Sequence, residues 1–277
     1  MVRSLRESIA AHHFVGPDRV VAAGGTDELV LRLAAHGGPV VVDRHTSHAR
    51  RLRAAGIAVD ELPLLDDYRV AVAELCLRFE RGARTAFVGN PHETTGSVLS
   101  AESVPRLCAS ARRHGALVVF DETSAEYALG PGFTSARWWA AHGRNVCVLR
   151  SFPGVEVGYL VGDPAAVARV DAGPVAPEAE AAARHALAHP EVLDRARADN
   201  RAARALLCRG LTELGVPFQP SAADFVLARL PAGVPGPRRA HDLEDVGLAG
   251  HVRIPVGRPD EVAEVLDELR RLTGVPA

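Results

Sequence analysis

Short runs of apolar, largely β-branched residues alternate with stretches of helical spacing through the first two-thirds of the chain, the pattern of βαβ units on a mostly parallel sheet. Val20–Ala23, Pro39–Asp43, Ile57–Leu62, Thr85–Gly89, Leu117–Asp121, Val146–Arg150 and Val157–Val161 read as strands. Between them, apolar positions recur at helical spacing in Asp27–Ala35, Ser47–Ala55 and Ala101–His114, the last with Ser100 as its cap. Pro164–Gly210 is strand-poor and rich in Ala, Arg and Glu, and reads as two helices broken at Pro190. Beyond it, Val216–Gln219, Phe225–Leu230 and Val252–Val256 predict strands, Pro259–Leu272 a closing helix, and Pro231–Pro237 a loop. The pattern therefore predicts a large α/β domain over residues 1–175 and a smaller α+β domain over 176–277.

Composition narrows the function classes. A chain of 277 residues can bury a large core, and a formal net charge of -2 argues against a nucleic-acid or anionic-membrane binder. No run of about 18 apolar residues occurs and the first residues lack an apolar signal core, so the expectation is a cytoplasmic protein. Cys76, Cys108, Cys147 and Cys208 are far apart with no CxxC spacing, which predicts neither a metal site nor a disulfide framework. All 32 residues counted as Lys+Arg are arginine. A GC-rich coding bias accounts for few surface lysines, but it does not account for losing a lysine that chemistry requires. Any reaction of this chain proceeds without an ε-amino group of its own.

Five stretches could carry chemistry. In AAGGTDEL a strand ends and a helix begins, so Gly24, Gly25, Thr26 and Asp27 form a candidate anion site of free backbone N–H groups. In VGNPHETTG the chain turns at a strand end, projecting Asn90, His92 and Glu93 toward the crevice where α/β sheets bind ligands. In ALVVFDETSAEY a buried strand delivers Asp121 and Glu122, acids that must be paired or have a raised pKa. In VCVLRSFPGVEVGYLVGD, Arg150 ends one strand and Tyr159 sits in the next. In GHVRIPVGRPDEV, Arg253 stands between apolar neighbours, a place for a guanidinium that meets an anion or a buried acid.

The order of these elements resembles the fold-type-I pyridoxal-phosphate aminotransferases, in particular the histidinol-phosphate aminotransferase and threonine-phosphate decarboxylase group. The likeness runs from about Leu5 to Leu272. GGTDEL is similar to the family's phosphate cup, GNPHETTG to its NPNNPTG loop, VVFDETSAEY to its VVDEAYxEF strand, PSAADFVLARL to PSxANFxLxR, and GHVRIPVGRPDEVAEVLDEL to the closing RITVGTPEE segment. The resemblance implies a mostly parallel large domain and a small C-terminal domain, with Asp121 at the pyridine nitrogen and Arg253 at the substrate carboxylate.

The departures from the family pattern are equally specific. Where the family runs from R-[TS]-[LF]-S-K through a glycine-rich loop, Arg150-Ser151-Phe152-Pro153-Gly154 passes almost directly into Val155-Glu156-Val157-Gly158-Tyr159, and the Schiff-base lysine is gone. Glu156 matches the phosphate-binding arginine, Glu93 the asparagine at the phenolic oxygen, and Ser124 a tyrosine. His45 or its neighbour His48 matches the ring-stacking aromatic, and the N-terminal arm is missing. Together these imply a small-molecule enzyme of specialised metabolism without a cofactor or metal, working by proton transfer, dehydration, cyclisation or condensation. Asp121, Glu93, His45 and His92 would be its acid and base groups. Arg253, Arg150, Asn90, Ser124, Tyr159 and Glu156 would contact a substrate bearing a carboxylate or other anion. A non-catalytic subunit or binder is the second reading, and pyridoxal or pyridoxamine phosphate bound non-covalently the third. The family further implies a homodimer, or a heterodimer with an intact aminotransferase.

Overall fold

The computed structural model describes residues 3–128 and 132–274. Seven strands form its larger sheet: β1 Val20–Ala23, β2 Val40–Asp43, β3 Val59–Leu62, β4 Thr85–Gly89, β5 Leu117–Asp121, β6 Val146–Phe152 and β7 Val155–Gly162. Their order is β1-β7-β6-β5-β4-β2-β3. Strands β2 to β6 pair in parallel, whereas β7 is antiparallel to both of its neighbours. This is the α/β class anticipated from the alternating pattern. All residues of β2 and β4 are buried, because helices cover both faces.

On one face, α2 (Thr26–Ala34) and α3 (Ser47–Ala54) pack Leu29, Leu33 and Leu52 against Phe87, Val119, Leu149 and Leu160. On the other, α4 (Val72–Glu80) and α5 (Ser103–His114) pack Leu75, Phe79 and Leu107 against Val118, Phe120 and Val148, beside the short α6 (Arg137–His142). An additional helix, α1 (Leu5–His13), lies with α8 (Pro177–Ala188) over the β1–β7 end of the sheet, and the single-turn α7 (Pro164–Val167) follows β7. The long α9 (Pro190–Glu213) leads to a second, antiparallel sheet. Its strands β8 (Phe218–Gln219), β9 (Phe225–Arg229), β10 (His241–Asp242) and β11 (His251–Pro255) run in the order β10-β11-β9-β8, and α10 (Pro259–Thr273) closes its core on Leu207, Leu211 and Ile254.

Three differences from the sequence reading have physical causes. The α1 helix was not anticipated, although Ser4 and Glu7 form a reciprocal capping box and Leu5, Ile9 and His13 recur every fourth residue on its buried side. Helix α5 starts at Ser103 rather than after a Ser100 cap; Glu102 is already helical, and the Ser100 and Ser103 hydroxyls hydrogen-bond each other at 2.8 Å. Strands β6 and β7 extend toward one another until Phe152 pairs with Val155. Only Pro153 and Gly154 remain between them, with Gly154 at φ 71°, the proline-then-glycine arrangement of a type II turn.

Because Gly154 needs a positive φ, Gly154→Ala is expected to lower the unfolding free energy by about 1–2 kcal/mol in urea titrations. Gly24→Ala should cost less, since a Cβ there meets nothing within 4 Å.

Candidate active site

The carboxyl ends of β2, β4 and β5 bring three ionisable side chains into one buried group. His48, in the first turn of α3, donates from Nε2 to Oδ2 of Asp121 at 2.7 Å, and Oδ1 of Asp121 accepts from the Thr123 amide at 2.9 Å and its hydroxyl at 2.6 Å. Burial pushes the Asp121 carboxyl up, but the hydrogen bond and charge of His48 and the Thr123 donors prevail and hold it below the ordinary carboxylate range. Burial likewise pulls His48 down, yet Asp121 outweighs it and the imidazole pKa is raised. The result is an anionic Asp121 backed by an imidazole whose charged form is favoured. Asp43 completes the group: its Oδ2 accepts from the Gly89 amide at 2.6 Å, while its Oδ1 and the Nδ1 of His48 have no partner. Burial pushes the Asp43 carboxyl up to about 7, against the Gly89 hydrogen bond and the charge of His48.

The glycine turn at the end of β1 builds the second component. Gly25 is the N-cap of α2 and no side chain caps this helix, so the first-turn N–H groups are free to take an anion. Gly158 lets β7 pass against this turn, since a Cβ there would lie 2.6 Å from both the carbonyl carbon of Gly25 and the amide of Thr26. Asp27 forms an ion pair with Arg51 at 2.9 Å.

The loops after β2 and β4 are laced together. Glu93 accepts from the Ser47 amide at 2.9 Å and hydroxyl at 3.0 Å, at the start of α3, and the Thr94 hydroxyl donates to the His45 carbonyl. His92 is fully buried; its Nδ1 accepts from the amides of Thr94 and Thr95, and its Nε2 donates to the Arg44 carbonyl at 3.2 Å. Both nitrogens thus shape the turn, and burial holds the ring well below its ordinary pKa, to about 4. Asn90 is committed in the same way, donating to the Thr134 carbonyl and accepting from the Leu99 amide, each at 3.0 Å. His45 sits at φ 66° and bonds through Nδ1 to the Val246 carbonyl at 2.5 Å, across to the segment before β11. Arg253, on β11, lies 3.8 Å over the Phe225 ring, with its buried Nε unpartnered and its pKa lowered by burial despite the charges of Asp224 and Glu93.

Not all of the anticipated residues converge. Arg150 is the cross-strand partner of Tyr159, whereas Asp121 faces Leu149 and Leu149 faces Leu160. Neighbouring residues on a strand point to opposite faces, so Arg150 and Tyr159 lie on the side away from Asp121. There Arg150 pairs with Glu126 at 2.6 Å and Glu122 at 3.7 Å, and the Tyr159 hydroxyl bonds His13 at 3.2 Å. Glu156 is exposed beside the Pro153–Gly154 turn, and Ser124 is half-buried before a 3-10 turn at Ala125–Tyr127. Sequence reasoning did not single out Asp43. The signal was there: Asp43 ends an apolar strand just as Asp121 does.

A helix N-terminus open to an anion, a buried acid kept ionised at a strand end and an arginine with an unpartnered N–H are the features that the resemblance to the aminotransferases implies at these positions. The family model for Aminotransferase class I and II matches residues 1–266, and the chain belongs to that family. It is 31% identical over 295 residues to the histidinol-phosphate aminotransferase of Rhodospirillum centenum, spanning 96% of this chain and 80% of the relative. Among solved structures, the histidinol-phosphate aminotransferase of Clostridium acetobutylicum superposes with a TM-score of 0.85 at 16% identity, covering 98% of this chain and 88% of that one. The aspartate aminotransferase of Thermus thermophilus with maleate gives 0.84 at 21% identity, covering 97% and 81%.

These matches correct the expectation of a cofactor-free enzyme with lyase or cyclase chemistry. The relatives are named for amino transfer, a reaction that uses pyridoxal phosphate, so neither the absence of a cofactor nor the replacement of transaminase chemistry stands. The missing lysine is a fact of the sequence; the cofactor-free conclusion drawn from it does not follow. The residues fit pyridoxal phosphate at two points, the open turn at Gly24 and Gly25 for the phosphate and ionised Asp121 for a protonated ring nitrogen, and the orphaned Nε of Arg253 fits a substrate anion. No residue of the chain offers an amine for covalent attachment, and the Pro153–Gly154 turn stands where the resemblance places one.

Asp43 gives a pH prediction. Its raised folded pKa favours the native state below the ordinary value of 3.8 and penalises it progressively as pH rises toward about 7. Asp43→Asn should therefore gain stability relative to the parent between pH 4 and 8, by about 1–3 kcal/mol in urea melts at the two ends of that range.

Proposed function

We propose that the chain is an aminotransferase-type enzyme acting on a small amino compound that carries an anionic group, with pyridoxal phosphate held by non-covalent contacts. The observation that carries this reading is the His48–Asp121 pair, which keeps a buried carboxylate ionised where the resemblance places the ring nitrogen. Family membership and the histidinol-phosphate aminotransferase relatives support the reaction class. When bound, pyridoxal phosphate supplies an electron-withdrawing ring through which an amino group and a proton are exchanged at the substrate's α-carbon.

The chain's own residues divide the remaining work. The free N–H groups at the start of α2 would hold the phosphate without a cationic side chain. Asp121 would accept from the ring N–H, and His48 holds Asp121 ionised and oriented. Arg253 binds the anionic end of the substrate, a role supported by its unpartnered Nε. Proton movement falls to His45. Its Nδ1 is committed to the Val246 carbonyl, which fixes the tautomer and leaves Nε2 as the basic lone pair. Glu93 holds the first turn of α3, and so His48, in place. On the same reading the chain divides near residue 175, assembles as a homodimer and works in the cytoplasm. Among the described residues, no helix is long and apolar enough to cross a membrane.

Protein mixed with pyridoxal phosphate or pyridoxamine phosphate and then desalted should retain the near-ultraviolet absorbance of the ring in stoichiometric amount. Asp121→Asn should weaken that retention about tenfold or more. Retention of neither form by the parent protein would overturn the reading. With an accepted substrate, His45→Ala should lower kcat by about 10²–10⁴-fold while leaving cofactor retention intact. Arg253→Ala should instead raise KM, by about tenfold or more.

A further inference from the structure

On the face of the sheet away from Asp121, a cavity of about 480 Å³ opens between the β6–β7 hairpin, α8 and the first turns of α9. It shares no residue with the group formed by Gly24–Thr26, His45, His48, Asp121 and Arg253. Phe152, Val155, Leu187 and Leu193 supply apolar walls, and Val192 at the same cavity is left 65% exposed. Apolar walls with a few polar groups are the usual lining of a small-molecule site.

The polar groups here are unbalanced. Arg137, Arg150 and Arg197 line the cavity with one acid, Glu126, while Glu122 and Asp194 just outside the lining pair with Arg150 at 3.7 Å and with Arg197 at 2.8 Å. Glu126 is already shared, accepting from Arg150 at 2.6 Å and from Arg197 at 3.0 Å. Arg150, whose side chain is only 10% exposed, has its Nε without a partner, and Arg137 makes no ion pair among the described residues. His12 lines the same space, its pKa lowered by burial and by the charges of Arg137 and Arg150, so its ring is neutral and able to donate a hydrogen bond. Arg150 and Arg197 are thus charge-paired, and Arg137 is the guanidinium at the cavity without an ion-pair partner among the described residues.

We propose that this cavity is a second binding site, for an apolar monocarboxylate, whose hydrocarbon body lies against Phe152, Leu187 and Leu193 and whose carboxylate is taken by Arg137 and Arg150. A single negative charge matches the one free guanidinium, and a planar carboxylate matches its paired N–H donors. The proposal stands independently of the aminotransferase reading, because it draws on no residue of that cleft.

Calorimetric titration with 1-naphthoate as the probe tests it, on the full chain, with and without excess pyridoxal phosphate. The expected result is one binding event that pyridoxal phosphate does not displace and that is about tenfold weaker for the uncharged 1-naphthalenemethanol. Arg137→Ala, an exposed position at which folding is not at stake, should weaken naphthoate about tenfold, and Leu193→Trp, which fills the cavity, at least as much. The proposal is overturned if naphthoate does not bind, if either variant that melts like the parent binds it unchanged, or if pyridoxal phosphate displaces it. Retention of pyridoxal phosphate in the desalting experiment is read separately, so failure of one assignment leaves the other standing.

Discussion

The hydrogen-bonded ion pair between His48 and Asp121 is the constraint around which the cleft is organised. An isolated carboxylate at the end of a fully buried strand would take up a proton rather than bear the cost of desolvation. The imidazole changes that balance, and it can do so only because just three residues separate the end of β2 from the start of α3, whose first turn reaches across β4 toward β5. Glu93 and Thr94, reaching back from the next strand-end loop to Ser47 and His45, fix that first turn. Three loops that are remote in sequence are thus tied to the ionisation state of one acid. Removing one member of such a buried pair leaves the other uncompensated, a larger loss than a missing surface contact.

The structure divides the polar residues of the β5–β7 region between two faces of one sheet. Those on the Asp121 side belong to the cleft. On the other side, Arg150, Glu122, Glu126 and Arg197 form an ion-pair network that holds the end of β6 against the start of α9. The network gives the hairpin and the long helix a common anchor. Its geometry leaves part of Arg150 without a partner, and that residual donor capacity distinguishes the adjoining cavity from a simple packing defect.

Much of the fold was legible in the sequence because fully buried parallel strands announce themselves as unbroken apolar runs. The limits of β1, β4 and β5 were read as they stand. Helices α1 and α4 were not, since α1 exposes polar residues on most of its surface and α4 buries only Leu75 and Phe79. Asp121 and Arg253 were legible because charge in an apolar strand needs an explanation. Their partners were not, because a strand alternates faces and the sequence does not say which face of β6 adjoins the cleft. Arg150 and Tyr159 were therefore assigned to the substrate, although register places them behind the sheet. The step from a missing lysine to a missing cofactor failed for a different reason: covalent attachment is one of several contacts that hold such a group, and the residues proposed for the phosphate, ring nitrogen and substrate carboxylate lie on other elements.

The tight turn between β6 and β7 also bears on evolutionary reversibility. A residue lost by substitution can return by substitution, whereas here Phe152 and Val155 pair across two intervening residues and the backbone that a longer loop needs is absent. A lysine returned by substitution at Gly154 would sit on a two-residue turn at φ 71°, on a backbone that disfavours any side chain, and without the longer loop that follows it in the family pattern. The turn therefore makes the simple return of that residue costly in backbone conformation as well as in loop length.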